Sequence, residues 1–443
     1  MLAAAHDYDA IRASDAAIQR LRALHPPLID LSTGRIARLL QALGNPERRL
    51  GRVIHVAGTN GKGSTTALMR AMAEAAGLKV HVLTSPHLVR FAERIRIAGA
   101  LISDAELSAR IDEVEAANAG APISFFEIAT ALAFHAFAQT PADLCLVEVG
   151  LGGRFDATNV FERPDVSVIT PVDYDHLEML GPELGRIAWE KAGILKAGAP
   201  GVIAPQAPEA MTVIAREAQA VGAPLIRLGE DVTVTTGEEG FRLEGLGEAL
   251  DLPLPALQGP HQAANAALAV TALLSLKDPR IDRSALARGL AQTVWPARFQ
   301  RLEVGPLAEL AKDTDLWLDG AHNPHGAAAL ARACSALQAK DGRPVALVVG
   351  MLARKDAAGY FAALKPCAPR IFTTGFSSPN AWPAQDLADA ARAAGLVAEA
   401  VAGVEEGVRA ALATTSPPPH LVICGSLHFA GDVLAMDPRT WPD

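Results

Sequence analysis

Hydrophobic positions divide the chain into two regions in which strand-like and helix-like runs alternate. Arg52-Val-Ile-His-Val-Ala57 is short and nearly all apolar, the pattern of a strand covered on both faces. A glycine-rich turn from Gly58 to Gly63 follows, then a helical stretch from Ser64 to Ala76, a stop at Gly77, and a second strand-like run from Leu78 to Thr84. Similar runs recur at 143–149, 165–170 and 201–204, most of them separated by helical pattern. This alternation predicts an α/β domain with a mostly parallel sheet. Between Leu225 and Leu254 the texture changes to short β-branched runs with glycines, which predicts a small antiparallel appendage over about 225–255. Helical pattern returns from Gln258 to Leu276. Alternation then restarts with strands expected at 316–319, 345–349, 370–373 and 421–424. The expected division is a first domain over residues 1–295 and a smaller α/β domain over 296–443, with the linker near Trp295-Pro296.

The chain has 443 residues, half of them hydrophobic and a fifth charged, an ordinary globular balance that argues against disorder. With 40 basic against 49 acidic residues the net charge is −9, which disfavours a general nucleic-acid coat. A small anionic substrate stays open, since it needs only a few local cations. Four cysteines (Cys145, Cys334, Cys367, Cys424) stand far apart, so neither a disulfide framework nor a zinc site is expected. The most apolar long window, Ile123 to Ala138, contains Glu127 and His135 and falls short of the about 20 residues a membrane span needs. No basic run followed by an apolar stretch opens the chain. The expectation is a cytoplasmic protein with no membrane or nucleic-acid partner.

His55-Val-Ala-Gly58-Thr59-Asn60-Gly61-Lys62-Gly63-Ser64-Thr65 joins a strand to a helix and has the parts of a phosphate-binding loop. Glycines let the backbone fold tightly enough for its N–H groups to converge on phosphate oxygens, and the next helix adds its positive end. Lys62 can reach terminal phosphates, and the Ser64 hydroxyl can ligate Mg²⁺. The spacing departs from the usual pattern, because the leading glycine is closer and Gly63 separates Lys62 from Ser64. Such a loop indicates a nucleotide but no particular reaction.

Further polar clusters fall at the carboxyl ends of the expected strands, where open α/β sheets place their sites. They are Ser85-Pro-His-Leu88, Glu93-Arg-Ile-Arg96, Phe125-Phe126-Glu127, the run from Glu148 to Asn159, Asp175-His176 and Glu190-Lys191-Ala-Gly-Ile194. More distally come Gly259-Pro-His261-Gln262-Ala-Ala-Asn265, Arg298-Phe-Gln300 and Asp319-Gly-Ala-His322-Asn323-Pro324. In this order, and over most of the chain, they resemble the folylpolyglutamate synthase/dihydrofolate synthase family of the Mur ligase superfamily.

The resemblance implies a phosphate-loop domain of the Mur ligase central type followed by a Rossmann-like α/β domain. It implies an ATP-dependent ligase joining L-glutamate to a pterin-bearing carboxylate through an acyl phosphate. By resemblance, residues 58–64 together with Asn265, Arg298, Asp319, His322 and Asn323 would contact ATP. One Mg²⁺ would fall to Ser64, Ser85 and Glu148, and a second to His176 and a carboxylated Lys191, with Lys62, His176 and Lys191 catalytic. Ile29, Asp30, Leu31, Phe125, Phe126 and Arg154 match the pterin-acid subsite. Arg298, at the expected junction, would reach the γ-phosphate only on domain closure.

Several residues also have plainer readings. Imidazole prefers softer metals than Mg²⁺, so His176 alone reads as a loop histidine. Lys191 could be an exposed helix lysine and Arg298 an interdomain salt bridge. Asn323 could simply cap a helix, and phenylalanines at 125 and 126 commonly belong to a core. Dihydropteroate, reduced folates and glutamate are the implied substrates of a monomeric, bifunctional enzyme. The rivals are polyglutamylation alone, a cell-wall amino-acid ligase and a nucleotide switch. A short N-terminal segment disfavours the second, and the distal Asp319 to Pro324 cluster gives no reason to prefer the third.

Overall fold

The computed structural model describes residues 8–25, 32–414 and 417–442. The described residues form two compact units, the first drawn from those up to 256 and from 263–293, the second from 257–262 and from those between 294 and 442. Ile29, Asp30 and Leu31 lie outside the described residues.

The first unit is built on an eight-stranded sheet: β1 (Arg52–Ala57), β2 (Val80–Leu83), β3 (Ile95–Ile97), β4 (Ala100–Leu101), β5 (Leu144–Glu148), β6 (Val166–Ile169), β7 (Gly201–Ile203) and β8 (Leu225–Arg227). Their spatial order is β4-β3-β2-β5-β1-β6-β7-β8. From β2 to β8 every pairing is parallel, and only the β2-β3-β4 edge is antiparallel. The continuous apolar runs of β1, β5 and β6 follow from this, since helices cover both faces of a parallel sheet. The edge pair β3–β4 sits where only polar clusters were expected. Ala98 and Gly99, both at positive φ, form the two-residue turn that lets the chain fold back.

The apolar window becomes the helix Phe125–Phe137, almost wholly buried. Its two titratable residues are both paired. Glu127 closes a capping box with Ser124 and meets Arg35 at 3.0 Å, while His135 meets Glu113 at 2.7 Å. No helix among the described residues is long and apolar enough to cross a membrane.

The appendage is smaller than expected. Leu225–Arg227 extends the parallel sheet beside β7, because its backbone continues the ladder from Gly201 to Ile203. The antiparallel part is β9 (Thr233–Thr236), β10 (Gly240–Gly245) and β11 (Glu248–Pro253).

The second unit carries a six-stranded sheet of β12 (Gln300–Arg301), β13 (Leu316–Leu318), β14 (Val345–Val349), β15 (Arg370–Thr373), β16 (Val397–Ala400) and β17 (His420–Cys424), ordered β12-β13-β17-β14-β15-β16. All pairings are parallel except β12 with β13. This is the doubly wound α/β arrangement, with Tyr360 and Phe361 fully buried in its core.

Candidate active site

The carboxyl ends of β2, β5, β1, β6 and β7 are neighbours in the first sheet, and each is followed by a residue of interest. After β1 comes the glycine loop. Gly58 has φ 143°, and a Cβ there would lie 1.8 Å from Thr170 Oγ1, so only glycine fits against the end of β6. The Thr59 and Asn60 N–H groups donate to the Pro171 carbonyl at 2.9 and 3.4 Å. The Thr59 hydroxyl exchanges bonds with the Asp173 backbone, at 2.9 Å to its carbonyl and 3.0 Å from its N–H. Gly61, at φ 89°, caps the helix Lys62–Ala75, whose first turn holds Gly63 and the buried Ser64. Asn265, from the helix Gln262–Ser275, lies beside Gly61, where a Cβ would come within 2.8 Å of its Oδ1.

Two lysines share one acceptor. Lys62 Nζ donates to the Gly58 carbonyl at 3.2 Å and the Thr59 carbonyl at 3.4 Å. Lys191 Nζ, from the helix Leu184–Ala192, donates to the Gly58 carbonyl at 2.9 Å. Lys191 is buried, against the plain expectation of an exposed helix lysine. Burial first, then the charge of Lys62, pulls its pKa from 10.5 to about 7, while Asp175, Glu190 and Asp156 oppose the fall. His176 stands in the left-handed region at φ 53° after β6, its N–H donating to Asp175 Oδ1 at 2.8 Å.

Glu148, the last residue of β5, is buried, and its Oε2 lies 3.5 Å from the Ser85 N–H. Both border a cavity that also takes in Thr84, Phe126, Thr130 and Arg94. The donors here are hydroxyl and carboxylate oxygens, the chemistry of a hard cation. Mg²⁺ is usually held by one or two carboxylates plus substrate phosphates, so Ser64, Ser85 and Glu148 suit it. Among the described residues no group of three or more His, Cys, Asp or Glu could hold a metal alone.

Arg94 had no role assigned from sequence beyond its place in Glu93-Arg-Ile-Arg96. Its Nε donates to His87 Nδ1 at 2.7 Å, and its guanidinium lies 5.4 Å from the Phe91 ring centre. Burial, then the charge of Arg22, lowers its pKa to about 10. Asp156 was likewise missed. Buried and with its pKa raised by burial, it accepts from the Leu151 and Thr158 N–H groups at 2.8 and 2.9 Å and from the Thr158 hydroxyl at 2.6 Å. It therefore fixes the Gly150–Asn159 loop.

The phenylalanines divide by position. Both pack half-buried against the core. Phe125 carries Arg22 5.2 Å over its ring, and Phe126 sits directly under Gly150. Arg154, matched by resemblance to the pterin-acid subsite, is engaged within the protein. Its guanidinium bonds Glu217 at 2.5 Å and the Trp189 carbonyl at 3.2 Å, and it lies 4.0 Å over the Trp189 ring.

The second unit gathers its own cluster after β13. Asp319, buried, accepts from the Phe299 and Ala321 N–H groups, both at 2.8 Å. Its carboxyl is raised by burial against the opposing charge of Arg298. Arg298 Nη1 lies within 2.8 Å of where a Gly320 Cβ would stand and donates to the Ala297 carbonyl at 2.9 Å. His322 Nδ1 lies 2.8 Å from the Gly320 carbonyl, which fixes Nδ1 as the protonated nitrogen. Asn323 caps the helix Pro324–Asp341 by accepting from the Gly326 N–H at 2.8 Å, as its plainer reading expected. His261, quoted in the sequence motif without a role, joins this unit, its pKa pulled to about 4 by burial and by Arg332, Arg298 and His325.

Residues 56–273 match the family described as Mur ligase middle domain, and residues 298–427 that described as Mur ligase, glutamate ligase domain. The chain is 37% identical over 392 residues to the dihydrofolate synthase/folylpolyglutamate synthase of Mycobacterium tuberculosis, covering 82% of this chain and 78% of that one. It superposes on Escherichia coli FolC in complex with DHPP and ADP with a TM-score of 0.85 at 33% identity, covering 95% of this chain and 97% of FolC. The bifunctional Yersinia pestis folylpolyglutamate synthase/dihydrofolate synthase, complexed with AMPPNP and Mn ion, gives 0.85 at 33% identity over the same shares. The chain thus belongs to the dihydrofolate synthase/folylpolyglutamate synthase family of Mur ligases.

Proposed function

We propose that this chain is an ATP-dependent carboxylate–amine ligase that joins L-glutamate to dihydropteroate, giving dihydrofolate, and extends reduced folates with further glutamates. The observation that carries the reading is the convergence of phosphate loop, two lysines and a cavity bordered by Ser85, Arg94 and Glu148 on adjacent strand ends. Relatives described with DHPP and ADP, or with AMPPNP and Mn, support the same ligand classes here.

The chemistry follows from these groups. The acceptor carboxylate attacks the γ-phosphorus of ATP, giving an acyl phosphate and ADP, and the glutamate amine then attacks the acyl carbon and expels phosphate. Charge must be neutralised on the migrating phosphoryl group and orientation imposed on the carboxylate. Lys62 and the helix N-terminus serve the first need. Arg94, beside Ser85 and Glu148, serves the second by its forked donors. Ser64, Ser85 and Glu148 would hold one Mg²⁺, and His176 with a carboxylated Lys191 a second. When bound, these ions supply positive charge to phosphate oxygens. In the second unit Arg298, Asp319, His322 and Asn323 form the remaining nucleotide-contacting group, and Asn265 stands with the phosphate loop. Pterin recognition falls to Phe125 and Phe126, with Ile29, Asp30 and Leu31 as the further segment. We also read the chain as a cytoplasmic monomer.

The test is ADP release with Mg²⁺ and glutamate, using dihydropteroate and a reduced folate monoglutamate as separate acceptors. Turnover with both is expected. Turnover with the folate alone would reduce the enzyme to polyglutamylation, and stimulation by neither would overturn the folate reading.

A further inference from the structure

Beyond the carboxyl end of β6 the chain leaves the ladder, and its next backbone groups have no strand to meet. The last regular bonds there run from the Thr170 N–H to the Ala57 carbonyl and from the Ala204 N–H to the Ile169 carbonyl, both 2.9 Å. One step further the neighbouring strand is replaced by a side chain. Gln206, in the loop between β7 and the helix Pro208–Val221, donates through Nε2 to the Thr170 carbonyl at 3.1 Å and accepts at Oε1 from the Val172 N–H at 2.9 Å. A primary amide presents one acceptor and donors on the same edge, so it mimics a peptide unit and extends the ladder.

The segment it clamps is Thr170-Pro171-Val172, and that segment is the floor of the phosphate loop. Pro171 has no N–H, so its only backbone polar group is the carbonyl that receives the Thr59 and Asn60 N–H groups. Thr170 backs Gly58, and Asp173 exchanges two bonds with the Thr59 hydroxyl. Clamping both sides of Pro171 therefore fixes where its carbonyl points, and through it the first two amides of the loop.

We infer that Gln206 is a positioning residue for the phosphate loop, holding it in nucleotide-binding shape from outside through the Pro171 carbonyl. This rests on the nucleotide reading given above. Gln206 touches no substrate in this scheme; it acts only through residues 170–172.

Gln206→Met keeps the length of the side chain and removes both bonds, while Gln206→Glu keeps the acceptor and sets a negative oxygen against the Thr170 carbonyl. Both are expected to weaken ADP binding, by about tenfold for Gln206→Met and more for Gln206→Glu, with kcat/KM for ATP falling in step. The KM values for the folate acceptor and for glutamate should stay at wild-type values, and the ligand-free melting temperature should fall only by the few degrees that two lost hydrogen bonds cost. ADP affinity equal to wild type in both variants would overturn the inference. So would a fall shared equally by all three substrates together with a larger drop in ligand-free melting temperature, the mark of a structural residue. Direct ADP titration needs no turnover. A wild type that binds ADP without stimulation by either acceptor would sink the folate reading, while the variants still decide the role of Gln206. A wild type that binds no ADP would overturn both.

Discussion

The side-chain amines of Lys62 and Lys191 converge on a single acceptor, the Gly58 carbonyl, at 3.2 and 2.9 Å. The two come from different helices, Lys62–Ala75 and Leu184–Ala192, so two positive groups meet over the phosphate loop. Lys191 is the buried partner and yields, its pKa drawn to about 7 by burial and then by Lys62. This arrangement favours whatever brings negative charge between the amines, either a phosphate or a carboxyl group added to Lys191 itself.

The depressed pKa sets a stability slope on the alkaline side. The unfolded chain keeps the Lys191 proton up to the ordinary value of 10.5, whereas the folded chain releases it near 7. Between these values the unfolded state binds more protons, so stability rises with pH, and below about 7 the cost of burying the charge is felt in full. In carbon-dioxide-free buffer Lys191→Met is expected to flatten that rise, measured as urea midpoints across the window. Parallel slopes in the two proteins would sink the idea. With bicarbonate present, native mass spectrometry should find one added carboxyl group on the wild type and none on Lys191→Met.

Arg154 should matter for stability rather than for substrate. Its guanidinium is held between the Glu217 carboxylate and the Trp189 ring, both partly shielded from water. Arg154→Leu is expected to cost about 1–2 kcal/mol in urea unfolding, while KM for the acceptor stays within about twofold. A large rise in acceptor KM with unchanged stability would instead place Arg154 in the pterin-acid subsite.

What could be read in advance follows from which interactions are local. β1 and the glycine loop were legible because burial on both faces leaves a continuous apolar run and a tight turn demands Gly58 and Gly61. The β3–β4 edge was not, since two and three residues carry too little pattern. Leu225–Arg227 looked like part of the appendage because a parallel edge strand of three residues differs from an antiparallel one only in its partner. Glu148 stood out as a carboxylate ending an apolar strand. The pairing of Arg154, in the loop after β5, with Glu217 was not legible, because Glu217 lies 63 positions away on the helix Pro208–Val221. Gln206 gave no signal, since its amide acts on backbone groups that the sequence does not name.

Arg94 should set acceptor recognition. It borders the cavity of Ser85 and Glu148, and His87 holds its Nε. Arg94→Lys keeps the charge and loses the fork, so kcat/KM for both acceptors is expected to fall about 10- to 100-fold, with ADP affinity near wild type. If ADP affinity falls and acceptor KM does not, Arg94 belongs to the nucleotide site.

Phe126 and Gly150 form a pair whose fit can be tested by trading volume across it. A Cβ on Gly150 would lie 2.3 Å from Phe126 Cζ and 2.8 Å from both Cε atoms, so the ring fills the space a larger residue would need. Gly150 follows Glu148 by two residues, and Phe126 lines the cavity that Glu148 borders. Adding a methyl group must either lift the loop after β5 or drive the ring into the cavity. Gly150→Ala is therefore expected to lose about 1–3 kcal/mol of stability and about tenfold or more in kcat. Phe126→Leu removes the opposing atoms at a cost of about 1 kcal/mol. If steric overlap is the cause, Gly150→Ala combined with Phe126→Leu should be more stable and more active than Gly150→Ala alone, with a coupling of about 1 kcal/mol or more. Urea midpoints and kcat for the four proteins give that coupling directly. Simple additivity would mean that the loop after Glu148 does not rest on the Phe126 ring.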